Sequence, residues 1–87
     1  TFMLGPARPN PFNPSVAIPF ALGSDAEVSL TVYTVTGTRI ATLAQGPMRA
    51  GSHEARWDAK NHPSGVYLFV LRVNGKRAGT VKAVCVK

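Results

Sequence analysis

The chain has 87 residues and a mass of 9.2 kDa, which allows one domain with a small core and leaves little room for a deep catalytic cleft. Hydrophobic residues make up 45% of the sequence and charged residues 16%, a composition that excludes a disordered chain. Ten basic and four acidic residues give a net charge of +6, and the longest apolar run in the basic C-terminal part, residues 66–71, is too short to cross a bilayer, so no transmembrane segment is expected.

The first predicted element is a proline-rich lead-in over residues 1–14, which precedes a single β-sandwich domain over residues 15–87. The chain lacks an initiator methionine and the basic and apolar segments of a leader, so we expect a domain of a longer protein. Each proline of the lead-in restricts its own φ and favours extended backbone at the residue before it, which predicts a stiff, polyproline-like segment. Phe12 is its apolar anchor, and either packs over the end of the sandwich or is recognised by a partner. The residues of this motif are Pro9, Asn10, Pro11, Phe12, Asn13 and Pro14.

Two-residue alternation of apolar side chains predicts the first two strands. Residues 16–22 have one apolar face, and because Pro19 cannot donate a ladder hydrogen bond we expect this strand at the edge of a sheet. Residues 28–32 alternate in the same way. The alternation changes phase at Tyr33, which predicts a β-bulge or a change of sheet at that point.

The next two predicted strands lie in the middle of the chain. We expect a third strand over residues 39–44, and we expect the Gln-Gly-Pro sequence of residues 45–47 to end it. A fourth strand over residues 52–57 has one polar face and one face that includes Trp57. Trp57 is therefore predicted to lie in the core.

The C-terminal part of the chain predicts a β-hairpin. Residues 66–73 are apolar at both odd and even positions, as in a central strand that is covered on both faces. Asn74 and Gly75 follow, and they favour a type I′ turn because both of its central residues need positive φ. Residues 76–86 then return as the last strand.

Six or seven antiparallel strands without a helix predict an all-β fold. We expect an immunoglobulin-like or fibronectin-III-like β-sandwich, with a small barrel of the oligonucleotide-binding type as the alternative. Tyr67 stands just after Gly65 at the start of the most apolar strand, where such sandwiches place a tyrosine whose hydroxyl bonds to upstream backbone. Cys85 has no second cysteine with which to pair and is expected to be buried.

The polar residues do not converge on a predicted catalytic, metal or cofactor site. Asp58, His62 and Ser64 contain the residue types of a nucleophilic triad, but they share one loop and lack a strained nucleophile turn. His53 and Glu54 lack the second histidine of a metalloprotease motif, and a single cysteine does not supply a four-ligand zinc site. We therefore expect a protein that is not an enzyme and that needs no cofactor and no metal.

Basic residues are concentrated at the C terminus. Five of the ten lie in residues 72–87, which contain no acidic residue. A cationic surface near Tyr67 and Phe69 could bind single-stranded nucleic acid. Because both aromatics lie in the most apolar strand, we expect no nucleic-acid partner and a mainly solvated basic edge.

Short motifs follow one another along the whole chain in a set order. They are Pro9-Asn10-Pro11-Phe12-Asn13-Pro14-Ser15, Val32-Tyr33, Thr36-Gly37, Ala50-Gly51-Ser52-His53, Trp57-Asp58, Ser64-Gly65-Val66-Tyr67 and Lys87. This order resembles the C-terminal sorting domain (type A) of proteins exported by the type IX secretion system, a family related to the immunoglobulin-like module of flagellar hook-capping proteins. Thr34 and Ala59 depart from the family pattern, which usually has Asp or Asn at the first position and Gly at the second.

The resemblance implies a non-catalytic domain that sorts a larger exported protein and attaches it to the cell surface. The implied route is through the periplasm and the outer membrane, and the implied partners are a secretion machinery protein at the outer membrane and the upstream domains of the parent protein. A terminal hairpin provides an edge for strand addition, and we expect its basic residues Lys76, Arg77, Lys82 and Lys87 to be recognised. The alternative is a structural or carbohydrate-binding accessory module appended to a secreted enzyme.

Overall fold

The computed structural model describes residues 2–87, in which seven β-strands and no helix are present. The strands are β1 (Phe2–Leu4), β2 (Ser15–Leu22), β3 (Ala26–Thr34), β4 (Arg39–Met48), β5 (Gly51–Asp58), β6 (Gly65–Val73) and β7 (Lys76–Cys85). They form a three-stranded sheet in the order β1-β2-β5 and a four-stranded sheet in the order β4-β3-β6-β7, with antiparallel neighbours throughout. This architecture confirms the predicted immunoglobulin-like sandwich of six or seven antiparallel strands.

One apolar core fills the space between the two sheets. Alternate residues of β2 face it from the small sheet, and alternate residues of β3 and β6 face it from the large sheet, as the two-residue period of a strand requires. The largest fully buried side chains are Phe12, Phe69, Ile18, Leu30, Leu71, Val16, Val28, Val32 and Cys85. Burial of Cys85, at 1% exposure, agrees with the sequence-based expectation.

Pro19 does not lie in an edge strand, and that prediction was wrong. β2 is the middle strand of its sheet, where Pro19 stands opposite Glu54 of β5. The Pro19 carbonyl accepts a hydrogen bond of 2.9 Å from the Gly5 N–H. Because the N–H and C=O of one strand residue point to the same neighbour, the missing donor of Pro19 faces β1 where β1 has ended. A Cβ on Gly5 would lie 2.9 Å from Pro19 Cγ, so this close approach favours glycine.

The third predicted strand is longer than expected. β4 continues through Gly46 and Pro47 to Met48, so residues 45–47 do not end it. β4 is an edge strand, and an edge strand tolerates proline because one of its sides carries no ladder. The register of β3 against β4 shifts between Val32 and Tyr33, which confirms the predicted irregularity at Tyr33.

The terminal hairpin forms as predicted, with one difference. Asn74 has φ 53° and Gly75 has φ 82°, the left-handed values of the predicted turn. β6 is central, between β3 and β7. Its outer face is not covered by another layer of the described residues, and Leu68 is half-buried there, so the expectation of cover on both faces was wrong.

Trp57 is predicted to be essential for the stability of the sandwich. Its side chain is 7% exposed, and its ring centroid lies 5.0 Å from that of Tyr67 and 5.9 Å from that of Phe69. Trp57→Ala should lower the free energy of unfolding by about 3–5 kcal/mol, a large part of the ~4–13 kcal/mol expected for a chain of this length. Urea unfolding followed by circular dichroism measures this loss.

Arg56→Ala provides the control for this prediction, because the Arg56 side chain is 76% exposed on the opposite face of β5. The control should change the unfolding free energy by less than about 0.5 kcal/mol. An unchanged midpoint for Trp57→Ala would show that the indole contributes little to the core.

Candidate functional site

Residues 8–12, here called the bridge, connect the two sheets through main-chain hydrogen bonds. At one end, Arg8 and Ala17 of β2 exchange two bonds of 2.9 and 2.8 Å. At the other end, the Phe12 N–H donates to the Val84 carbonyl at 2.8 Å, and the Val86 N–H donates to the Phe12 carbonyl at 2.9 Å. Because Ala17 belongs to the small sheet and Val84 to the large one, the bridge closes one side of the sandwich.

The side chains of the bridge strengthen both attachments. Phe12 is 1% exposed, and its ring centroid lies 6.2 Å from that of Trp57, so it packs inside the sandwich. Asn10 Oδ1 accepts a 3.0 Å hydrogen bond from the Val84 N–H, and Asn10 Nδ2 donates to the Lys82 carbonyl at 3.3 Å. Pro9 and Pro11 are exposed and take part in none of the hydrogen bonds that attach the bridge within the described structure.

The bridge limits which part of the β7 edge can pair with a partner strand. β7 is the last strand of the large sheet, as strand addition to the terminal hairpin requires. From Lys82 to Val86, however, outward-facing main-chain groups already bond to Asn10 and Phe12. The part of the edge without such bonds in the described structure is residues 76–80.

The basic residues of the hairpin lie at separate places along β7. Lys76 and Arg77 follow the turn at one end, Lys82 lies in the second half of the strand, and all three are exposed. Lys87 lies beyond the other end, about 36 Å along the chain from Lys76 at ~3.3 Å per residue of strand. These residues form an extended basic edge instead of one cluster.

Lys87 differs from the other basic residues because its ammonium group is bound within the chain. Its Nζ donates to the carbonyl of Lys60 at 2.7 Å and to that of His62, and its main-chain N–H donates to Ser64 Oγ at 3.0 Å. The C-terminal residue therefore holds the loop of residues 59–64. The sequence indicates the positive charge of Lys87 but not these carbonyl partners, which come from a distant loop.

Tyr67 fastens the same loop from inside the sandwich. Its hydroxyl donates to the Pro63 carbonyl at 2.5 Å, and the residue is 3% exposed, which confirms the predicted bond to upstream backbone. Burial raises the pKa of the Tyr67 hydroxyl above its ordinary value of 10.0, and the neighbouring Cys85 raises this pKa further. The loop of residues 59–64 is thus attached to the buried Tyr67 hydroxyl and to the exposed Lys87 side chain.

The residues of the excluded triad have structural partners in this loop region. Asp58 Oδ1 accepts a 2.9 Å hydrogen bond from the Lys60 N–H, and the His62 ring centroid lies 5.3 Å from that of Trp57. Ser64 Oγ is the acceptor of the Lys87 N–H. Across residues 2–87, no group of three or more metal-ligating side chains comes together, and no helix is long and apolar enough to span a membrane.

The family of the chain follows from its sequence over the same region. Residues 8–87, from the start of the bridge to Lys87, match the family model described as the secretion system C-terminal sorting domain. The chain belongs to the family of C-terminal sorting domains of the type IX secretion system. A sorting domain acts in the export of a larger protein, so it interacts with the type IX machinery and with its parent, and it reaches the cell surface or the medium across the outer membrane.

Solved structures share the fold of this sorting domain. Dimeric latent PorU from Porphyromonas gingivalis matches with a TM-score of 0.73 and 22% identity over 99% of this chain, which spans 9% of the PorU chain. The DNA-bound alkylpurine DNA glycosylase AlkC of Pseudomonas fluorescens matches with a TM-score of 0.61 and 16% identity, over 99% of this chain and 30% of that chain. An uncharacterized protein from Bacillus anthracis matches with a TM-score of 0.59 and 14% identity, over 85% and 72%. These low identities establish the fold alone, and comparison with curated proteins gives no significant match.

Tyr67→Phe is predicted to destabilise the domain and to change its response to alkaline pH. The substitution leaves the Pro63 carbonyl without its donor, which should cost about 1–3 kcal/mol. In the unsubstituted domain the folded-state pKa of Tyr67 is raised. Above pH 10 the unfolded state therefore loses the hydroxyl proton of Tyr67 first, and stability falls as pH rises. Urea unfolding between pH 8 and pH 11, at intervals of about half a unit, should show a smaller alkaline loss for Tyr67→Phe. An identical loss would show that Tyr67 does not cause it.

Asn10→Ala is predicted to loosen the attachment of the bridge to β7. The change removes the side-chain bonds to Val84 and Lys82, and it should lower the unfolding free energy by about 1–2 kcal/mol. Amide exchange at Val84 should accelerate correspondingly. Asn13→Ala, at an exposed asparagine of the same motif, is the control, and equal effects of the two variants would contradict a specific role for Asn10.

Proposed function

We propose that a machinery protein at the outer membrane binds the terminal hairpin, residues 65–87, and that this domain retains its parent protein at the cell surface without catalysing a reaction. The residues proposed for recognition are Lys76, Arg77, Lys82 and Lys87. The observation that carries the proposal is the row of basic side chains along an edge hairpin whose last sixteen residues contain no acid.

The charge of this hairpin is available to a partner. Within residues 2–87 the ion pair is Arg56 with Glu54, at 2.8 Å on β5, so no carboxylate of the described chain neutralises Lys76, Arg77 or Lys82. Exposed cations on one edge accelerate association with a complementary surface and select against basic partners. Side-chain charge therefore supports recognition over the full length of β7.

Main-chain recognition is more restricted than charge recognition. Asn10 and Phe12 occupy the outward-facing groups of β7 between Lys82 and Val86, which leaves residues 76–80 for the addition of a partner strand. A partner strand could pair with β7 beyond residue 80 only after the bridge separates from that strand. We therefore propose that the export partner first contacts the end of the hairpin that carries Lys76 and Arg77.

The accessory-module alternative is less well supported by the geometry. A sugar-binding role for Trp57 requires an accessible ring face, but Phe12, Tyr67 and Phe69 pack around the indole, which is 7% exposed. A sorting domain has no catalytic role in general, and the polar groups of the 59–64 loop bind one another and the backbone. Both points favour a domain that directs the export of its parent protein over a sugar-binding accessory module.

The export proposal is tested with a reporter protein fused upstream of the chain in a host with type IX machinery. Replacing Lys76 and Lys82 with Glu should reduce export by about tenfold or more, because it reverses the charge that the partner meets. Such exposed substitutions should change the unfolding free energy by less than about 0.5 kcal/mol each. Lys87 is left unchanged because its ammonium group also holds the 59–64 loop.

The matched control replaces Arg39 and Arg49 with Glu, which gives the same change in net charge at exposed positions outside the hairpin. Normal export of the folded Lys76 and Lys82 variant would show that hairpin charge is not recognised. Retention of the unmodified fusion inside the cell would instead favour the accessory module. Protease treatment of intact cells then distinguishes surface attachment, where the reporter is cleaved on the cells, from release into the medium.

A further inference from the structure

The outer face of the large sheet contains a groove of about 240 Å³. One wall is the Tyr33 side chain with the turn that follows β3, and the other wall is formed by Arg72 and Arg77 of the terminal hairpin. Leu68 and Val70 of β6 lie between the walls. The sequence-based expectation that β6 is covered on both faces overlooked this surface.

The floor of the groove is apolar. Leu68 stands opposite Tyr33 in the sheet, and Val70 stands opposite Thr31. Val35, at the rim, is 65% exposed, so its side chain adds apolar surface beside the floor. The volume is below the ~300–1,000 Å³ of typical small-molecule sites, so it fits one or two side chains of a larger ligand.

Two arginine side chains line the groove beside this floor. Arg72 of β6 and Arg77 of β7 are direct cross-strand partners, and both line the groove. Like charges at directly opposite strand positions destabilise a sheet. Arg77 is exposed and Arg72 is half-buried, so solvent lessens the repulsion but does not provide a counter-charge.

Glu27 does not neutralise this pair. Glu27 lies with Arg72 in the adjoining hollow, yet within residues 2–87 it forms no ion pair with either arginine. Arg72 Nη1 donates only a long 3.4 Å hydrogen bond, to the Tyr33 hydroxyl. Both guanidinium groups therefore retain donors for an external carboxylate.

The backbone that carries the arginine pair is held in place. The Asn74 N–H donates to the Glu27 carbonyl at 2.7 Å, and the Glu27 N–H donates to Asn74 Oδ1 at 3.0 Å. These bonds attach the tip of the hairpin to β3. Arg72 and Arg77 flank that tip, so binding a carboxylate would require little ordering of the backbone.

We infer that this groove binds an acidic, extended peptide segment of a partner protein, with a carboxylate between Arg72 and Arg77 and an apolar side chain on Leu68 and Val70. Val70 and Arg72 are two residues apart, ~7 Å along the strand. Same-face side chains of an extended peptide have this spacing, so a segment with apolar and acidic residues at positions i and i+2 fits. The inference does not rest on the export proposal, although the two proposed surfaces adjoin and share Arg77.

A peptide fits this groove better than a glycan does. Sugar hydroxyls need several hydrogen-bonding side chains, but the Thr34 hydroxyl is already bonded to the Thr36 hydroxyl and to the Thr38 N–H. The Tyr33 hydroxyl is shared with Arg72. The remaining surface consists of aliphatic side chains and cations, which complement alternating apolar and carboxylate groups.

The test measures binding of a blocked nonapeptide, Ser-Leu-Thr-Glu-Ser-Leu-Thr-Glu-Ser, to the 87-residue chain by NMR titration. Shifts should concentrate at Leu68, Val70 and Arg77. Arg77→Gln should weaken binding about tenfold, as should replacement of both peptide glutamates by glutamine. Lys76→Gln removes the same charge one residue away from the groove, and it should weaken binding by less than about twofold.

Three results would overturn the inference. Equal losses for Lys76→Gln and Arg77→Gln would show unspecific charge attraction, and unchanged binding of the glutamine peptide would show that the carboxylate is not recognised. Binding of polygalacturonate at the groove, without binding of the peptide, would identify a glycan site instead. None of these results depends on whether the reporter is exported.

Thermal unfolding at low salt provides a second readout. If Arg72 and Arg77 repel one another, Arg77→Gln should raise Tm by about 1–5 °C in the absence of peptide, while Lys76→Gln should leave Tm nearly unchanged. A gain in stability together with a loss of peptide binding would support a binding role for Arg77. An unchanged Tm would show that the pair is already compensated within the chain, contrary to the inference.

Discussion

Residues 8–12 hydrogen-bond to β2 at one end and to β7 at the other, so one short segment joins the two sheets at the side where both would otherwise be open. A chain of 87 residues buries only a small core. The attachment of the bridge to both sheets places Phe12 in that core. Phe12 completes an aromatic group around Trp57, which also contacts Tyr67 and Phe69. The bridge therefore covers part of the β7 edge and adds the Phe12 side chain to the core.

The bridge also determines which parts of the surface remain free. It occupies the β7 edge between Lys82 and Val86, while Lys87 binds the loop of residues 59–64. What remains for partners is the end of the hairpin after the turn at Asn74 and the outer face of the large sheet. Both regions are basic, and within residues 2–87 neither contains an ion pair, so charge recognition and groove binding can operate at adjoining places that share Arg77.

Much of the fold could be predicted because local patterns agree with the tertiary structure. The alternation in residues 16–22 produced a strand with one buried face, and Asn74 with Gly75 produced the expected turn. Pro19 and Pro47 were misjudged because the effect of proline depends on which side of its strand carries hydrogen bonds. That side is a property of the neighbouring strands, which local sequence does not contain.

The sequence alone determined the all-β class, the burial of Trp57, and the excess of positive charge near the C terminus, while it left open whether Phe12 packs over the end of the sandwich or is recognised by a partner. Only the tertiary structure decided that Phe12 lies in the core, that the bridge covers half of the β7 edge, that Lys87 binds distant carbonyls, and that Tyr33 lines a groove with Arg72 and Arg77. The physical reason is range. Alternation and turn formation depend on residues a few positions apart, whereas edge cover, the Lys87 contacts and the groove depend on segments that are distant in sequence and adjacent only after folding.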